Sequence, residues 1–175
     1  KTRSHLPSHN HQFGSTTSDT YTMAWISLVP DKDLSGPVWP EALDYVRSHQ
    51  LEDGGWGDNQ IYHAHDRVMS TLAAIWALAE WRLDPKDEQR IVRGMDALHQ
   101  YAGDLPQEPY ETIGFELILP RLVQAVTQLG INVPMKFFAH VESDTTSKLA
   151  RIGSLNLNNG QPKSWWFSAE GLSEE

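Results

Sequence analysis

An all-α architecture is what this sequence predicts, on three observations. Apolar residues recur at helical spacing in several windows, prolines and acidic side chains sit where helices begin, and no stretch alternates apolar and polar residues as a half-buried strand does. With 175 residues and 39% apolar content, the chain can build a core of ordinary domain size.

Taken in order, residues 1–10 are polar and read as a solvated lead-in, where the irregular spacing of His5, His9 and His11 fits a tail better than a metal site. Residues 21–29 form a short apolar run whose periodicity leaves helix and strand both open. Pro40 has the place of a first-turn proline and Glu41 the favourable end of the helix dipole. With Leu43 and Val46 on one face, they predict a helix to about Gln50, ended by the turn Asp53-Gly54-Gly55. Asp66 is read as the cap of the next helix, whose stripe is Val68, Leu72, Ile75, Trp76 and Ala79. Asp84-Pro85 predicts another start, and Ile91, Met95, Leu98 and Ala102 carry the period to a stop near Gly103, with Gly94 lowering helix propensity. Phe115, Ile118, Leu119, Leu122, Val126 and Leu129 predict a helix bent at Pro120 and closed by Gly130. A shorter helix starts at Pro134, and residues 153–163 read as loop. The trio Trp165-Trp166-Phe167 is hard to bury in a self-contained bundle, so further chain is expected to cover it.

Composition excludes several function classes. Without cysteine there are no disulfides, thiolate metal sites or cysteine nucleophiles, and a reducing, cytoplasmic setting is the expectation. A net charge of −9 and the lack of clustered Lys and Arg argue against nucleic acid as a partner. The longest apolar run, residues 68–83, is broken by Ser70, Thr71 and Glu80, so no membrane span is expected. Seven tryptophans suit dense helix packing or the wall of an apolar pocket.

Several phrases then carry a family resemblance. Gln50-Leu51-Glu52-Asp53-Gly54-Gly55-Trp56-Gly57 resembles the QW motif of triterpene and class II diterpene cyclases, in which a helix end turns on glycines while Gln and Trp tie neighbouring helices together. Phe13-Gly14-Ser15 followed by Tyr21 and Ala24-Trp25 is similar to the FGS…YDTAW phrase of fungal-type diterpene cyclases. Thr22 and Met23 depart from it, standing where the family has Asp and Thr. His65-Asp66-Arg67 with Ser70-Thr71-Leu72-Ala73 is similar to the family's DRL-x-(N/S)TLA helix start, and Ile113-Gly114-Phe115-Glu116 with Pro120 to its GFE…P helix. Lys148-Leu149-Ala150 and the stretch from Phe167 to Leu172 are similar to its closing KL and SLEGL segments. These phrases follow one another in the family's own order.

The resemblance implies helical α/α-barrel domains of the terpene cyclase type, β and γ, present incompletely: a lead-in over 1–12, the first part of β over 13–60, and the inserted γ region over 61–175. It implies an isoprenoid diphosphate substrate, geranylgeranyl diphosphate, whose terminal alkene is protonated by an Asp of a DxDD motif. A bicyclic copalyl-type diphosphate is the product. Such chemistry needs a carboxylic acid kept protonated in a dry, aromatic-lined cavity. This chain contains neither DxDD nor DDxxD; Asp31-Lys32-Asp33 is the nearest approach. The segment is therefore expected to be inert alone, its partner being the remainder of the cyclase chain. The family's γ domain carries an EDxxD-like stretch before GFE that binds diphosphate through Mg²⁺. Here Glu108 and Glu111 occupy that region, separated by Pro109, and two solvated loop glutamates are the competing reading. His63, His65 and Asp66 have a metal-like spacing, against which capping by Asp66 is the simpler reading. Trp25 and Trp56 are expected to pack at the barrel wall. The rival functions are a non-catalytic helical interaction module on the same scaffold and a glycan-degrading α/α-toroid enzyme, which would need paired carboxylates.

Overall fold

A computed structural model describes residues 19–109, 112, 114–134 and the single positions 138, 139, 141, 146 and 150. It contains helices α1 (Thr20–Ser27), α2 (Pro40–Ser48), α3 (Ala64–Trp81), α4 (Asp87–Asp104) and α5 (Phe115–Gln128), with a 3-10 turn, Leu105–Gln107, after α4. Among the described residues there is no strand, only an isolated bridge between Pro30 and Pro37. The fold class is all-α, as the periodicity predicts.

The run that left helix and strand open is helical. Asp19 supplies the reason: in extended conformation it accepts from Thr22 N–H at 2.6 Å and satisfies an orphan donor of the first turn. Helix α2 begins with Pro40 as expected and ends two residues before Gln50. Helix α4 starts at Asp87 with Lys86 as its cap, which corrects the start expected at Asp84-Pro85: those residues form the turn ahead of the helix. The Asp84 carboxylate accepts from Lys86 N–H at 2.8 Å while Asp87 reaches back to Asp84 N–H at 3.2 Å, a reciprocal capping pair. Helix α5 carries Pro120 in its interior without ending there, and Gly130 turns the chain at φ +84°.

Two expectations for α3 are corrected. The cap is His63, which has extended backbone and accepts weakly from Asp66 N–H at 3.4 Å; Asp66 stands in the first turn instead. A single buried stripe also understates this helix. Val68, Leu72, Ile75 and Ala79 are buried, but so are Arg67, Ser70, Thr71, Ala74 and Leu78 on its other faces, whereas Trp76 is only partly buried. A helix enclosed on all sides is the centre of a domain. Accordingly α1, α4 and α5 all pack on α3, and the core runs from Ala24 through Leu43, Trp56 and Leu98 to Val126. The boundary placed after residue 60 falls in the turn before α3.

The Phe13-Gly14-Ser15 phrase, Lys148-Leu149, the loop 153–163 and the trio Trp165-Trp166-Phe167 lie outside the described residues. So does most of the helix expected from Pro134, of which Phe138 and Val141 are buried in the common core.

Candidate functional site

The residues singled out by sequence converge on the turn 50–57 and the start of α3. Gln50 leaves the end of α2 and donates its amide to two carbonyls, Gly54 O at 2.7 Å and Arg90 O on α4 at 2.9 Å. Arg93, one turn further along α4, returns hydrogen bonds to Leu51 O and Glu52 O at 3.3 and 3.0 Å. Gly54 takes φ +97° and Gly57 φ +138°, conformations that side-chain-bearing residues rarely adopt. Between them the chain delivers Trp56 into the core at 0% exposure, where its indole N–H donates to Val46 O at 2.7 Å. Trp56 N–H also donates to the Thr71 hydroxyl on α3 at 3.0 Å. One turn is thereby fastened to α2, α3 and α4.

Beside it lies a partly buried polar network. Asp53 accepts from the Tyr101 hydroxyl of α4 at 2.5 Å and from Gly55 N–H at 3.1 Å. Arg67 of α3 stands 3.6 Å from the same carboxylate, donates to Tyr101 at 3.4 Å and to Asp58 O at 2.7 Å, and lies over the rings of Tyr62 and Tyr101. Tyr62 donates to Asp104. Asp66 takes Asp58 N–H at 2.8 Å and the Ser70 hydroxyl at 3.0 Å, so it pins the loop ahead of α3. Burial, followed by the bonds to Asp53 and Asp104, raises the Tyr101 and Tyr62 phenols above their ordinary value.

Arg67, Tyr101 and Tyr62 are the members that sequence reasoning missed. Arg67 was in the matched helix-start phrase without a role, and Tyr101 is three residues after Leu98 on the buried face of α4; that spacing was the available signal.

The remaining candidates sit elsewhere. Trp25 is edge-on to Tyr21 and to Trp76, with centroids 6.1 and 5.1 Å away, and is 39% exposed. Gly114 begins α5 at φ +76°, followed by buried Phe115 and Glu116. The Phe115 ring lies tilted against the His65 ring, their centroids 4.2 Å apart. Glu108 is found at the start of α3: one carboxylate oxygen accepts from Ala64 N–H at 2.7 Å, and the other lies 3.9 Å from His63 Nε2. It therefore satisfies a helix N-terminus. Glu111 lies outside the described residues.

Among the described residues, no group of three or more His, Asp or Glu side chains could hold a metal. Among the described residues, the Asp31, Asp58 and Asp84 carboxyls lie below their ordinary value, each chiefly through hydrogen bonds from neighbouring groups. A proton donor needs the opposite shift. A surface depression on α5, lined by Pro120, Val123, Gln124, Thr127 and Gln128, contains no titratable side chain. What the arrangement can do chemically is brace helices.

No protein-family model matches the chain. It is 31% identical over 167 residues, 93% of its length, to the bifunctional isopimaradiene synthase of Picea abies, and 33% identical over 91% of its length to a (−)-kolavenyl diphosphate synthase of Tripterygium wilfordii. Both relatives are described as chloroplastic. The crystal structure of ent-copalyl diphosphate synthase from Arabidopsis thaliana, in complex with an aza-dihydrogeranylgeranyl thiolodiphosphate, superposes on 81% of this chain with a TM-score of 0.70 and 31% identity. The chain covers 19% and 20% of the two sequence relatives and 20% of the solved chain, about a fifth of each. None of the three carries the fungal affiliation expected from the Phe13-Gly14-Ser15 phrase.

Proposed function

This chain belongs to the class II diterpene cyclase family, and from that premise we propose that it is a bracing segment of an enzyme converting geranylgeranyl diphosphate to a bicyclic copalyl-type diphosphate. The observation that carries the proposal is resemblance along nearly the whole chain, in sequence and in helical fold, to synthases that make or bind prenyl diphosphates.

The division of labour follows from the acids. Protonating an alkene requires a carboxylic acid held neutral at working pH in a water-free cavity. The chain contains no DxDD, and among the described residues the Asp31, Asp58 and Asp84 carboxyls shift toward the ionised form. We place the acid in the remainder of the cyclase chain. This segment supplies helices locked by a QW-type turn at Gln50, Asp53, Gly54, Trp56 and Gly57, with residues 13–60 assigned to β and 61–175 to γ. Magnesium is proposed for the complete enzyme only. Glu108 and Glu111 are the ligands this chain could contribute, Glu108 also accepting from Ala64 N–H. A reducing compartment is proposed, which both the cytosol and the chloroplast of the two sequence relatives provide. Among the described residues no helix is long and apolar enough to cross a membrane.

The test is incubation of the full-length parent with geranylgeranyl diphosphate and Mg²⁺, followed by dephosphorylation and product analysis. A bicyclic diphosphate is expected, with none from residues 1–175 alone. Recovery of unchanged substrate from the full-length protein rejects the proposal and favours a non-catalytic helical module.

A further inference from the structure

We infer that the apolar loop between α1 and α2 is the surface on which the rest of the parent cyclase chain docks, an inference that rests on the reading of this chain as a cyclase segment. In this loop the backbone folds back on itself. Val38 N–H donates to Val29 O at 2.9 Å and Asp31 N–H to Gly36 O at 2.8 Å, while the Asp31 carboxylate accepts from both the Ser35 N–H and the Ser35 hydroxyl at 2.8 Å. The loop is pinned, yet its apolar side chains are turned outward: Leu34 is 73% exposed, Trp39 51%, Val38 43% and Val29 42%. Leu83, beyond the end of α3 and 54% exposed, continues the patch, since a Cβ at Gly36 would stand 3.8 Å from its Cδ1.

Leu34 also holds φ +56°, a left-handed conformation that glycine or asparagine adopts far more readily. A turn alone would not call for leucine there. A strained, rigidly held apolar tip next to other exposed apolar groups marks a surface that is covered when the protein is assembled.

Length indicates the occupant. About a fifth of each homologous synthase is matched by this chain, so most of a cyclase lies outside it. Asp31, Lys32 and Asp33 precede Leu34 in the loop, and Arg82 and Asp84 flank Leu83 along the chain, so charges of both signs adjoin the apolar residues in sequence. That is the composition of a protein interface. An anionic lipid surface would not attract a chain with net charge −9. The docking partner is therefore an apolar helical face of the remaining cyclase polypeptide.

Residues 1–175 lack cysteine, so L34C and L83C each introduce one thiol at a known place. Each variant is made in the full-length parent and reacted with a maleimide, with modification read on the peptide that contains the new thiol. Both thiols are expected to react at least about tenfold more slowly in the folded parent than after unfolding in guanidinium, at every protein concentration. Folded rates within about twofold of the unfolded ones at both positions overturn the inference. So does protection that disappears on dilution, which assigns the patch to a second copy, or protection that requires lipid vesicles. Turnover of geranylgeranyl diphosphate by the same variants is measured separately. Product made while both thiols are open overturns docking and leaves the enzymatic reading standing; protected thiols without product support docking and reject that reading.

Discussion

Arg47 donates to two carboxylates at the same distance, 2.8 Å, from Nη1 to Asp44 and from Nη2 to Asp87. Distance predicts equal value; burial does not. The Asp44 side chain is 70% exposed and the Asp87 side chain 1%. Asp87 also accepts from Arg47 Nε at 3.1 Å, Arg90 Nη1 at 3.0 Å and Asp84 N–H at 3.2 Å, so its charge is met on every side. The D87N substitution keeps the shape and removes the charge, leaving two guanidinium groups over a neutral amide. Breaking a buried ion pair costs about 3–5 kcal/mol. Because the Arg47 and Arg90 side chains retain 15% and 21% exposure and can recover some hydration, a loss of about 2–3 kcal/mol is expected. For a chain of this size that lowers the thermal midpoint by roughly 4–12 °C. D44N should cost about 0–0.5 kcal/mol, and that small effect should vanish in molar salt. Urea titration followed by tryptophan emission measures both, with the slope checked for two-state behaviour. A D87N midpoint equal to that of the unmodified chain, or a D44N loss as large as that of D87N, refutes the claim that burial sets the difference.

Three further outcomes are expected. Gly94→Ala should gain about 1 kcal/mol of helix propensity but destabilise overall, because its Cβ would fall 2.8 Å from Trp56 Cζ3 and 3.2 Å from Ile75 Cδ1, and overpacking costs about 1–3 kcal/mol; a higher urea midpoint would show that the ring has room to move. Burial and the bond to Asp53 hold the Tyr101 phenol above its ordinary value, so its stabilising contribution is complete below about pH 10 and is lost as pH rises through the folded value; in an ultraviolet alkaline titration, Asp53→Asn should bring one tyrosine ionisation to lower pH, and an unchanged curve contradicts the assignment. Bonds from Ser35 hold the Asp31 carboxyl below the usual carboxylate range, so its support of the loop is complete above about pH 4 and fades as pH falls through the lowered value; proteolysis of residues 28–39 should accelerate in that acid range, and Ser35→Ala should start the acceleration at higher pH.

What the sequence displays and what it hides divide along contact range. The start of α2 at Pro40 and the buried stripe of α5 are legible because each depends on residues within a few positions of one another. The type of α1 was left open because eight residues give too short a period, and Asp19, outside the apolar run, decides it. Asp66 was read as a cap because its partners, Asp58 N–H in the preceding loop and Ser70, depend on how that loop folds back. Glu108 shows the same limit more sharply. The family resemblance makes it a candidate for diphosphate, while its hydrogen-bond partner Ala64 N–H lies 44 positions away and is invisible to any local window. Gly94, which lowers helix propensity on paper, is placed where the Trp56 ring crosses α4 and no larger residue fits.

The same contacts set what the carboxylates of this segment are engaged in. Asp53 is met by a phenol, a backbone N–H and a nearby guanidinium, Asp66 by an N–H and a hydroxyl, Asp87 by two guanidiniums and an N–H, and Glu108 by a helix N-terminus. Each of these bonds engages a carboxylate oxygen in fastening one helix or loop to the next. An acid that must protonate an alkene needs the reverse: apolar walls, few donors and a bond given rather than received. Converting any of these acids into a donor would require stripping away the hydrogen bonds that hold the helices in register. A carboxyl in this network can therefore serve the wall or the reaction, and its surroundings commit it to the wall.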